Sequence, residues 1–417
     1  MKSKVYKISV IVKFFIIFLS ALFPAFALAA STEKVFKTSF ANFLVQGSSN
    51  FSGAVRNQSF IYEQKQFEDG KNNRQNKDLA LENNSQLYLK LENKKSAIKE
   101  DKFGLSFKFE SEVSSAQNKG TLNLDQGFIY LDSKTFGKFE IGDNIPVNQK
   151  MKVGPASFAR GNGGINGNYL KYINLPVNSQ FILIAQSPLG HSNQALGGSQ
   201  LNQDSIKILR SNSFNGAEDA TKLNYYSPRI SGLQIGVTYT PNTSDSIISS
   251  TVFNGKNNAA INVISLAANY TNSFNNFDYA FFATSESGKS KSATQNNLSA
   301  FDFGATMAYF GFTFGASYGS WNKSLQATNQ NFKSATYKTY GLAYQLGHIS
   351  ISVTNLNSSF EKNTYQANSL GLDYKLNKDF IPYFEITKFR FKTNQQTNSE
   401  SSDNRGFVAL GGFLILF

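Results

Sequence analysis

The sequence predicts an all-β protein: a transmembrane antiparallel β-barrel of sixteen strands, with one long loop folded into its pore. Three observations lead to this prediction. Apolar and polar residues alternate through most of the chain, the breaks between strand-length segments alternate between short and long, and the last residue is an apolar Phe417. Alternation gives each strand one apolar and one polar face. Short turns at one end and long polar loops at the other are typical of outer-membrane barrels.

The first 29 residues predict a secretory signal peptide that is removed. The stretch has a basic start, an apolar run from Phe14 to Phe26 and an A-x-A cleavage pattern at Ala27–Ala29. An N-terminal membrane anchor is the alternative, and Lys13 disfavours it because it shortens the apolar run. Removal of the leader takes away four lysines and lowers the formal net charge from +13 to +9. Residues 30–417 are then expected to form a single barrel.

Composition argues against several classes of function. The chain has no cysteine and only two histidines, His191 and His348. Nucleophilic catalysis by a serine needs a base next to it, and nothing in the sequence indicates that a serine has this arrangement with either histidine. We therefore predict no catalytic residues, no metal site, no cofactor and no enzymatic activity. A basic protein could bind nucleic acid, but the scattered charges of an exported chain argue against that partner.

Period-two segments define the predicted strands. "QLYLKLEN" places Leu87, Leu89 and Leu91 on one face, and "FGLSFKFESE", "ISISVTN" and "NSLGLDYK" repeat the pattern. The sixteen predicted strands lie near 43–56, 85–94, 103–113, 122–132, 136–142, 220–227, 231–241, 261–271, 274–285, 298–310, 312–321, 334–346, 348–356, 365–375, 380–391 and 405–417. The link after 348–356 is expected to be long. Tyrosines near strand ends, such as Tyr239, Tyr270 and Tyr309, are consistent with the aromatic girdles of membrane barrels.

The segment of about residues 143–219 is predicted to narrow the pore, and we call it the constriction loop. A sixteen-stranded barrel is too wide for its own side chains to fill, and this segment is too long for a simple turn. Its "RGNGGING" stretch permits tight backbone bends. A phosphate cradle at "ARGNGG" is the alternative, but no strand leads directly into a helix there. We expect a loop in which Arg160 points at the pore.

Opposed acidic and basic side chains are expected to set ion preference at the constriction. Arg56, Lys90 and Lys108 lie on three consecutive predicted strands and are expected to form its basic side. Glu140 and Asp143 before the loop, with Glu218 and Asp219 after it, are candidates for the acidic side. Alternation also points further charges at the lumen, namely Lys138, Lys222, Glu92, Glu110, Asp302 and Asp373. The alternative is that these charges only solvate a wide pore wall.

Several stretches resemble general porins of Gram-negative bacteria, in particular those of alphaproteobacteria. "LDQGFIYLDSKTFGKFEIGD" resembles the strand, turn and strand before the family's constriction loop. "DATKLNYYSPRISGLQIGVTYTP" resembles the family's next hairpin, and a terminal Phe is usual in the family. "FARGNGGINGNYLKYINLP", together with the later "EDATKLNYYSPR", resembles porins of alphaproteobacteria. The resemblance implies a homotrimer of sixteen-stranded barrels. It also implies that Phe413, Ile415 and Phe417 form the signal recognised by the barrel-assembly machinery.

The chain departs from the family pattern at three places. Asp143 stands where many general porins carry Arg, so one member of their basic ladder is missing or moved. Apolar residues occupy the expected inward face of the last strand, at Val408, Leu410, Leu414 and Leu416. The constriction loop, a neighbouring subunit or the N-terminal segment could cover them. Finally, "NYLKYINLPVNSQFILIAQ" could supply an extra hairpin and make eighteen strands.

Taken together, the residues and the resemblance predict an outer-membrane porin. It would contact outer-membrane lipid and let small hydrophilic solutes and ions diffuse passively, with a weak preference for anions because of the basic net charge. A substrate-specific channel is the alternative, followed by a barrel enzyme or adhesin with long surface loops.

Overall fold

The structure is a computed structural model. It describes residues 34–37, 41–59, 79–93, 101–114, 119–158, 163–173, 176, 181–189, 196–197, 220–246, 260–324, 326–329, 331–393, 396–397, 400–401 and 403–417. The predicted signal peptide lies outside these residues, and its removal stays a prediction. Within the described ranges, no helix combines the length and the apolar character needed to cross a bilayer.

Sixteen long antiparallel strands form one closed barrel, as predicted. They are β1 (Ala41–Asn57), β2 (Leu79–Asn93), β3 (Lys102–Ser114), β4 (Lys119–Ser133), β5 (Gly137–Asp143), β6 (Thr221–Tyr226), β7 (Leu233–Asn242), β8 (Ala260–Phe274), β9 (Phe277–Ser290), β10 (Leu298–Tyr309), β11 (Phe312–Asn322), β12 (Ala335–Leu346), β13 (Ile349–Phe360), β14 (Asn363–Tyr374), β15 (Phe380–Lys392) and β16 (Asn404–Leu416). Each strand pairs with the next along the chain, and β16 pairs with β1.

The eighteen-stranded alternative is wrong. Of the stretch that could have supplied an extra hairpin, Asn168–Tyr172 forms a 3₁₀ turn. Phe181–Ile182 pairs only with Leu196–Gly197, in a separate two-stranded ribbon. Both belong to the constriction loop, because their apolar side chains pack inside the barrel and not along its wall.

The barrel is apolar outside and polar inside. Leu342 on β12 lies opposite Val353 on β13, and their side chains are 40% and 54% exposed. The alternate residues Ser352 and Thr354 are buried on the inner side. A water-soluble barrel would bury its apolar face, whereas a membrane barrel turns that face to lipid and satisfies every backbone group by closure.

The connections are short at one end of the barrel. Asn275 and Asn276 join β8 to β9 with φ values of 47° and 64°, as a two-residue type I′ hairpin turn requires. The expectation of a long link after β13 is wrong. Alternation continues through Phe360, so β13 and β14 stay paired up to Phe360 and Asn363, with only two residues between them.

The chain end is held in the sheet by both of its backbone groups. The Phe417 N–H donates to the Gly47 carbonyl at 2.9 Å, and the Gly47 N–H donates to the Phe417 carbonyl at 2.6 Å. A Cβ at Gly47 would lie only 2.4 Å from atoms of the Phe417 ring, so the ring occupies the space that a side chain at position 47 would need. The short strand Lys34–Lys37 pairs with residues 42–45 of β1. The part of β1 that extends beyond its pairing with Phe417 is therefore also hydrogen-bonded along this edge.

The inward apolar residues of β16 fall into two groups. Val408 and Leu410 are fully buried and belong to the large apolar cluster that also includes Ile165, Tyr169 and Ile173. These three residues lie in the constriction loop, which therefore covers this part of the strand. Leu414 and Leu416, nearer the chain end, are only partly buried and lie outside that cluster.

Candidate functional site: the pore constriction

The constriction loop enters the lumen immediately after β5. A short helix, α1 (Val147–Lys150), packs against β7, where Gly236 makes room for it. A Cβ at Gly236 would lie 2.5 Å from Met151 Sδ and 2.9 Å from Val147 Cβ. The Val147 N–H donates to Thr238 Oγ1 at 2.9 Å, which fixes the start of the helix. A side chain at position 236 would therefore displace the beginning of the loop.

Beyond α1, the loop covers a large part of the inner wall with apolar side chains. The whole loop, including α1, packs against β6–β9, β11–β16 and β1. The Phe181 ring lies edge-on to Phe391 at 4.9 Å between ring centroids, and Phe391 stacks on Tyr365 at 4.6 Å. The Tyr169 hydroxyl is hydrogen-bonded to the Tyr365 hydroxyl within this core. The inward-facing side chains of β2–β6 that the loop does not cover lie across the lumen from this packing, and we call them the pore wall.

Polar anchors fix the loop at several points. Arg56 Nη1 donates to the Tyr172 carbonyl at 2.9 Å, and Arg56 is only 3% exposed. Glu82 accepts from Lys171 Nζ at 2.6 Å and from the Tyr172 hydroxyl at 2.9 Å. Arg56 was expected on the basic side of the constriction, but it lies buried beneath the loop. A buried charge must be paired or hydrogen-bonded, and the loop backbone provides this partner.

Two buried acids of the barrel hold other parts of the loop. Glu286 accepts from Asn148 Nδ2 at 3.1 Å and from the Leu189 N–H at 3.3 Å, and so joins the two limbs of the loop. Asp302, which alternation directed to the lumen, forms an ion pair with Lys152. Asp302 also accepts from the Tyr337 hydroxyl at 2.5 Å. Both acids therefore hold the loop against the barrel wall.

The pore wall carries the lysines predicted on β2 and β3. Lys108 Nζ lies 2.8 Å from Asp125, and the register shift between β3 and β4 at Lys108 brings this acid to it. Lys90 on β2 faces the lumen in the row of inward side chains next to that of Lys108. It forms no ion pair among the described residues. Of the predicted acids, Glu110 accepts from Gln86 Nε2 at 2.8 Å. Glu92 accepts from the Tyr130 hydroxyl at 2.5 Å and lies 3.6 Å from Lys102.

Of the two acids that precede the loop, Glu140 is paired with lysines and Asp143 is buried. Glu140 lies 2.8 Å from Lys138 and 2.8 Å from Lys150, so two lysines share one carboxylate. Asp143 is fully buried and accepts from Thr221 Oγ1 at 2.5 Å and from the Ser246 hydroxyl. Neither therefore presents a net negative charge to the open lumen.

Lys222 is almost fully buried at the base of the constriction loop. Its ammonium group donates to the carbonyls of Asn144 and Ala220, which close the two ends of the loop. Asp373, also directed to the lumen by alternation, is buried on β14. The remaining predicted residues of the constriction, Arg160, Glu218 and Asp219, lie outside the described residues.

Sequence reasoning missed the lysines of the loop itself. From Asn144 to Gln203 the chain contains no Asp or Glu but has four bases, Lys150, Lys152, Arg160 and Lys171. This charge asymmetry could have been read from the sequence. Lys150 lies 5.3 Å from the ring centroid of Phe128 on the pore wall. Burial lowers the pKa of Lys150, the nearby Lys138 and Lys90 lower it further, and Glu140 opposes them.

Comparison with known proteins agrees with this architecture. The family profile described as Gram-negative porin matches residues 17–394. An uncharacterized protein of Rickettsia conorii is 27% identical over 360 residues, covering 72% of this chain and 77% of that protein. One of Rickettsia bellii is 26% identical over 356 residues, covering 73% and 78%.

A solved porin structure shares the fold. The anion-selective porin from Comamonas acidovorans aligns with a TM-score of 0.54 and 12% identity, over 90% of this chain and all of that one. A triple mutant of the Rhodopseudomonas blastica porin has a TM-score of 0.48 and 13% identity, with the same coverage. Because the family profile spans most of the chain and the barrel is closed with its loop inside, this chain belongs to the Gram-negative porin family and is a non-enzymatic, water-filled channel of the outer membrane for small hydrophilic solutes and ions.

Proposed function

We propose that this channel conducts small anions in preference to small cations. The observation that carries the proposal is the charge of the constriction. The described part of the loop carries lysines and no acid, and it faces a pore wall on which Lys90 has no ion partner among the described residues. A solute at this level meets positive charge from both sides, in a site with low-dielectric walls that strengthen the field.

The acids that pair with the lysines of the loop do not exceed those lysines in charge. Glu140 is shared by Lys138 and Lys150, which leaves an excess of one positive charge at that cluster. Glu82 and Asp302 are each paired with one lysine of the loop, Lys171 and Lys152. Such rings of basic side chains favour anions in pores. We infer that Arg56 and Lys222 support the loop, whereas Lys90, Lys108, Lys138 and Lys150 meet the solutes.

Reversal potentials in planar bilayers test the proposal. Under a salt gradient, the wild-type channel is expected to be anion-selective, and Lys90→Gln and Lys150→Gln are each expected to shift the reversal potential toward cation selectivity. Lys323→Gln is the matched control, because Lys323 hydrogen-bonds Asn331 in an exposed loop. A cation-selective wild-type channel would refute the anion preference without affecting its assignment as a porin.

We also propose that the protein is a homotrimer that associates through the outer faces of β16, β1 and β2. Ala409 and Gly411 on β16, with Gly53 on β1, form a patch of small residues on this face. Ser49 Oγ donates to Asn83 Oδ1 at 3.1 Å on the same face. Polar groups facing hydrocarbon are costly, and small residues allow close approach of a second barrel.

Export and assembly complete the proposal. We infer cleavage of residues 1–29 and recognition of Phe413, Ile415 and Phe417 by the barrel-assembly machinery. The Phe413 ring stacks on Phe51 at 5.3 Å and lies on the outer face, where a binding partner can reach it before the barrel closes. N-terminal sequencing of the mature protein tests the cleavage. Membrane levels of Phe417→Ala, compared with Phe310→Ala in a periplasmic turn, test the assembly signal.

A further inference from the structure

We propose that the pore wall contains a subsite for ring-bearing anions, meaning small solutes in which a planar unsaturated ring is joined to a phosphate or carboxylate group. The inference rests on the proposed anion preference and adds a class of solute to it. The feature behind it is a set of aromatic rings that point into the lumen, each with a lysine ammonium held over it.

Phe128 is the central ring of this subsite. It lies on β4 between Ser106 on β3 and Gly142 on β5, and both neighbours are too small to cover it. The ring is partly exposed to the lumen, although a phenylalanine in a water-filled pore leaves apolar surface in contact with water. Gly142 has a φ of 137°, and a Cβ there would lie 2.4 Å from the Gly127 carbonyl oxygen and 2.9 Å from Phe128 Cβ. The backbone of β4 therefore excludes a side chain at position 142, next to Phe128.

Lysines of the loop and the wall surround this aromatic surface. Lys150 Nζ lies 5.3 Å from the Phe128 centroid and 5.7 Å from that of Tyr226. Lys108 Nζ lies 5.9 Å from the Tyr88 centroid in the adjacent row. An ammonium group is attracted to the face of an aromatic ring, so these contacts keep the lysine ammonium groups at the aromatic surface when no solute is bound there.

Lys90 supplies the site for the anionic group. In the sheet register it lies opposite Ser106, and Ser106 lies opposite Phe128, so Lys90 is in the same row and two strands away. Two strand spacings are about 10 Å. A solute ring that stacks on Phe128 takes the place of the Lys150 ammonium over that ring, and Lys150 then contacts polar atoms on the edge of the solute ring. The phosphate or carboxylate of the solute is directed toward Lys90. Neither a neutral ring nor an anion without a ring uses both parts.

Block of single-channel current provides the test. Uridine 5′-monophosphate and its 5,6-dihydro derivative carry the same phosphate and have nearly the same size, but only the first has a planar ring. We expect uridine 5′-monophosphate to block the wild-type channel with at least about threefold higher affinity, as stacking of modest strength implies. Phe128→Leu should reduce this ratio to about one, and Phe128→Tyr should preserve it.

Two results would overturn the subsite. One is equal block of the wild-type channel by the two nucleotides, and the other is an unchanged ratio in Phe128→Leu. The reversal potential of the wild-type channel is measured in the same bilayer, so a failure of the ring subsite is distinguishable from a failure of the anion preference. Phe128→Leu is accepted as folded when its open-channel conductance matches that of the wild type.

Discussion

At the scale of single residues, the charge of the constriction depends on which lysines have an acidic partner that no other lysine shares. Lys108 has Asp125, Lys152 has Asp302 and Lys171 has Glu82. Lys138 and Lys150 must share Glu140, and Lys90 has no acidic partner in the described part of the chain. Neutralising either Lys90 or Lys108 should therefore shift ion selectivity toward cations, because the first change removes a positive charge without an acidic partner and the second frees the negative charge of Asp125.

Lys150 should make the anion preference dependent on pH. Burial lowers its pKa and Glu140 only partly opposes this, and a lysine loses its charge as pH rises through its pKa. The preference should thus decline between neutral pH and the ordinary lysine pKa of about 10.4. Reversal potentials measured across this range check the prediction. In Lys150→Arg the guanidinium stays protonated, so a decline of equal size in that variant would contradict the assignment to Lys150.

At the scale of elements, the constriction loop is held by an apolar core and not only by hydrogen bonds. Phe181 is 1% exposed and packs against Phe391. Phe181→Ala should leave a cavity and cost about 3 kcal/mol or more of folding free energy. The expected result is a lower temperature of barrel unfolding and a noisier open-channel current, because the loop is less firmly held. Phe310→Ala is the control, since Phe310 lies in an exposed turn and should change neither value.

The closing strand pair depends on the absence of a side chain at Gly47. A Cβ there would lie 2.4 Å from the Phe417 ring, which must then move away from β1. Gly47→Ala should lower the unfolding temperature of the barrel through an overpacking cost of about 1–3 kcal/mol. Ser48→Ala is the matched control, because residue 48 points to the other face of the same strand. Equal unfolding temperatures of the two variants would show that the Phe417 ring does not need this space.

At the scale of the whole molecule, the two sides of the barrel differ in their outer surface. The faces of β7–β14 present large exposed apolar side chains such as Leu342 and Phe314. The face of β16, β1 and β2 also has exposed leucines, such as Leu79 and Leu81 on β2. It carries in addition the small Ala409 and Gly411 and the polar pair of Ser49 and Asn83. The first surface suits lipid, and the second suits another copy of the chain.

Ala409→Trp tests the subunit interface. The large side chain should protrude from the patch of small residues and prevent close packing, so that monomers replace trimers on an unheated gel. Leu342→Trp, on the opposite outer face, should leave trimers intact, because lipid accommodates the added volume. Wild-type channels should open in three equal conductance steps per insertion. Trimers of undiminished amount in Ala409→Trp would exclude this face as the interface.

The sequence alone determined the barrel. Alternation, loop lengths and strand count are local properties, since the side-chain period of a strand is fixed by backbone geometry. They correctly indicated sixteen strands, the inward lysines of β2 and β3, and a long insertion between β5 and β6. The loop charge was also readable, because the absence of acids from Asn144 to Gln203 is a property of the sequence.

Only the tertiary structure decided which charges remain available to solutes. Arg56 and Lys90 follow the same alternation rule, yet the loop lies over Arg56 and not over Lys90. The pairing of Glu140 with two lysines, and the position of Lys150 over Phe128, join residues on different elements. Such contacts depend on the path of the loop through the lumen. The packing of its apolar side chains on Val408, Leu410 and the inner wall sets that path, and no local sequence pattern encodes it.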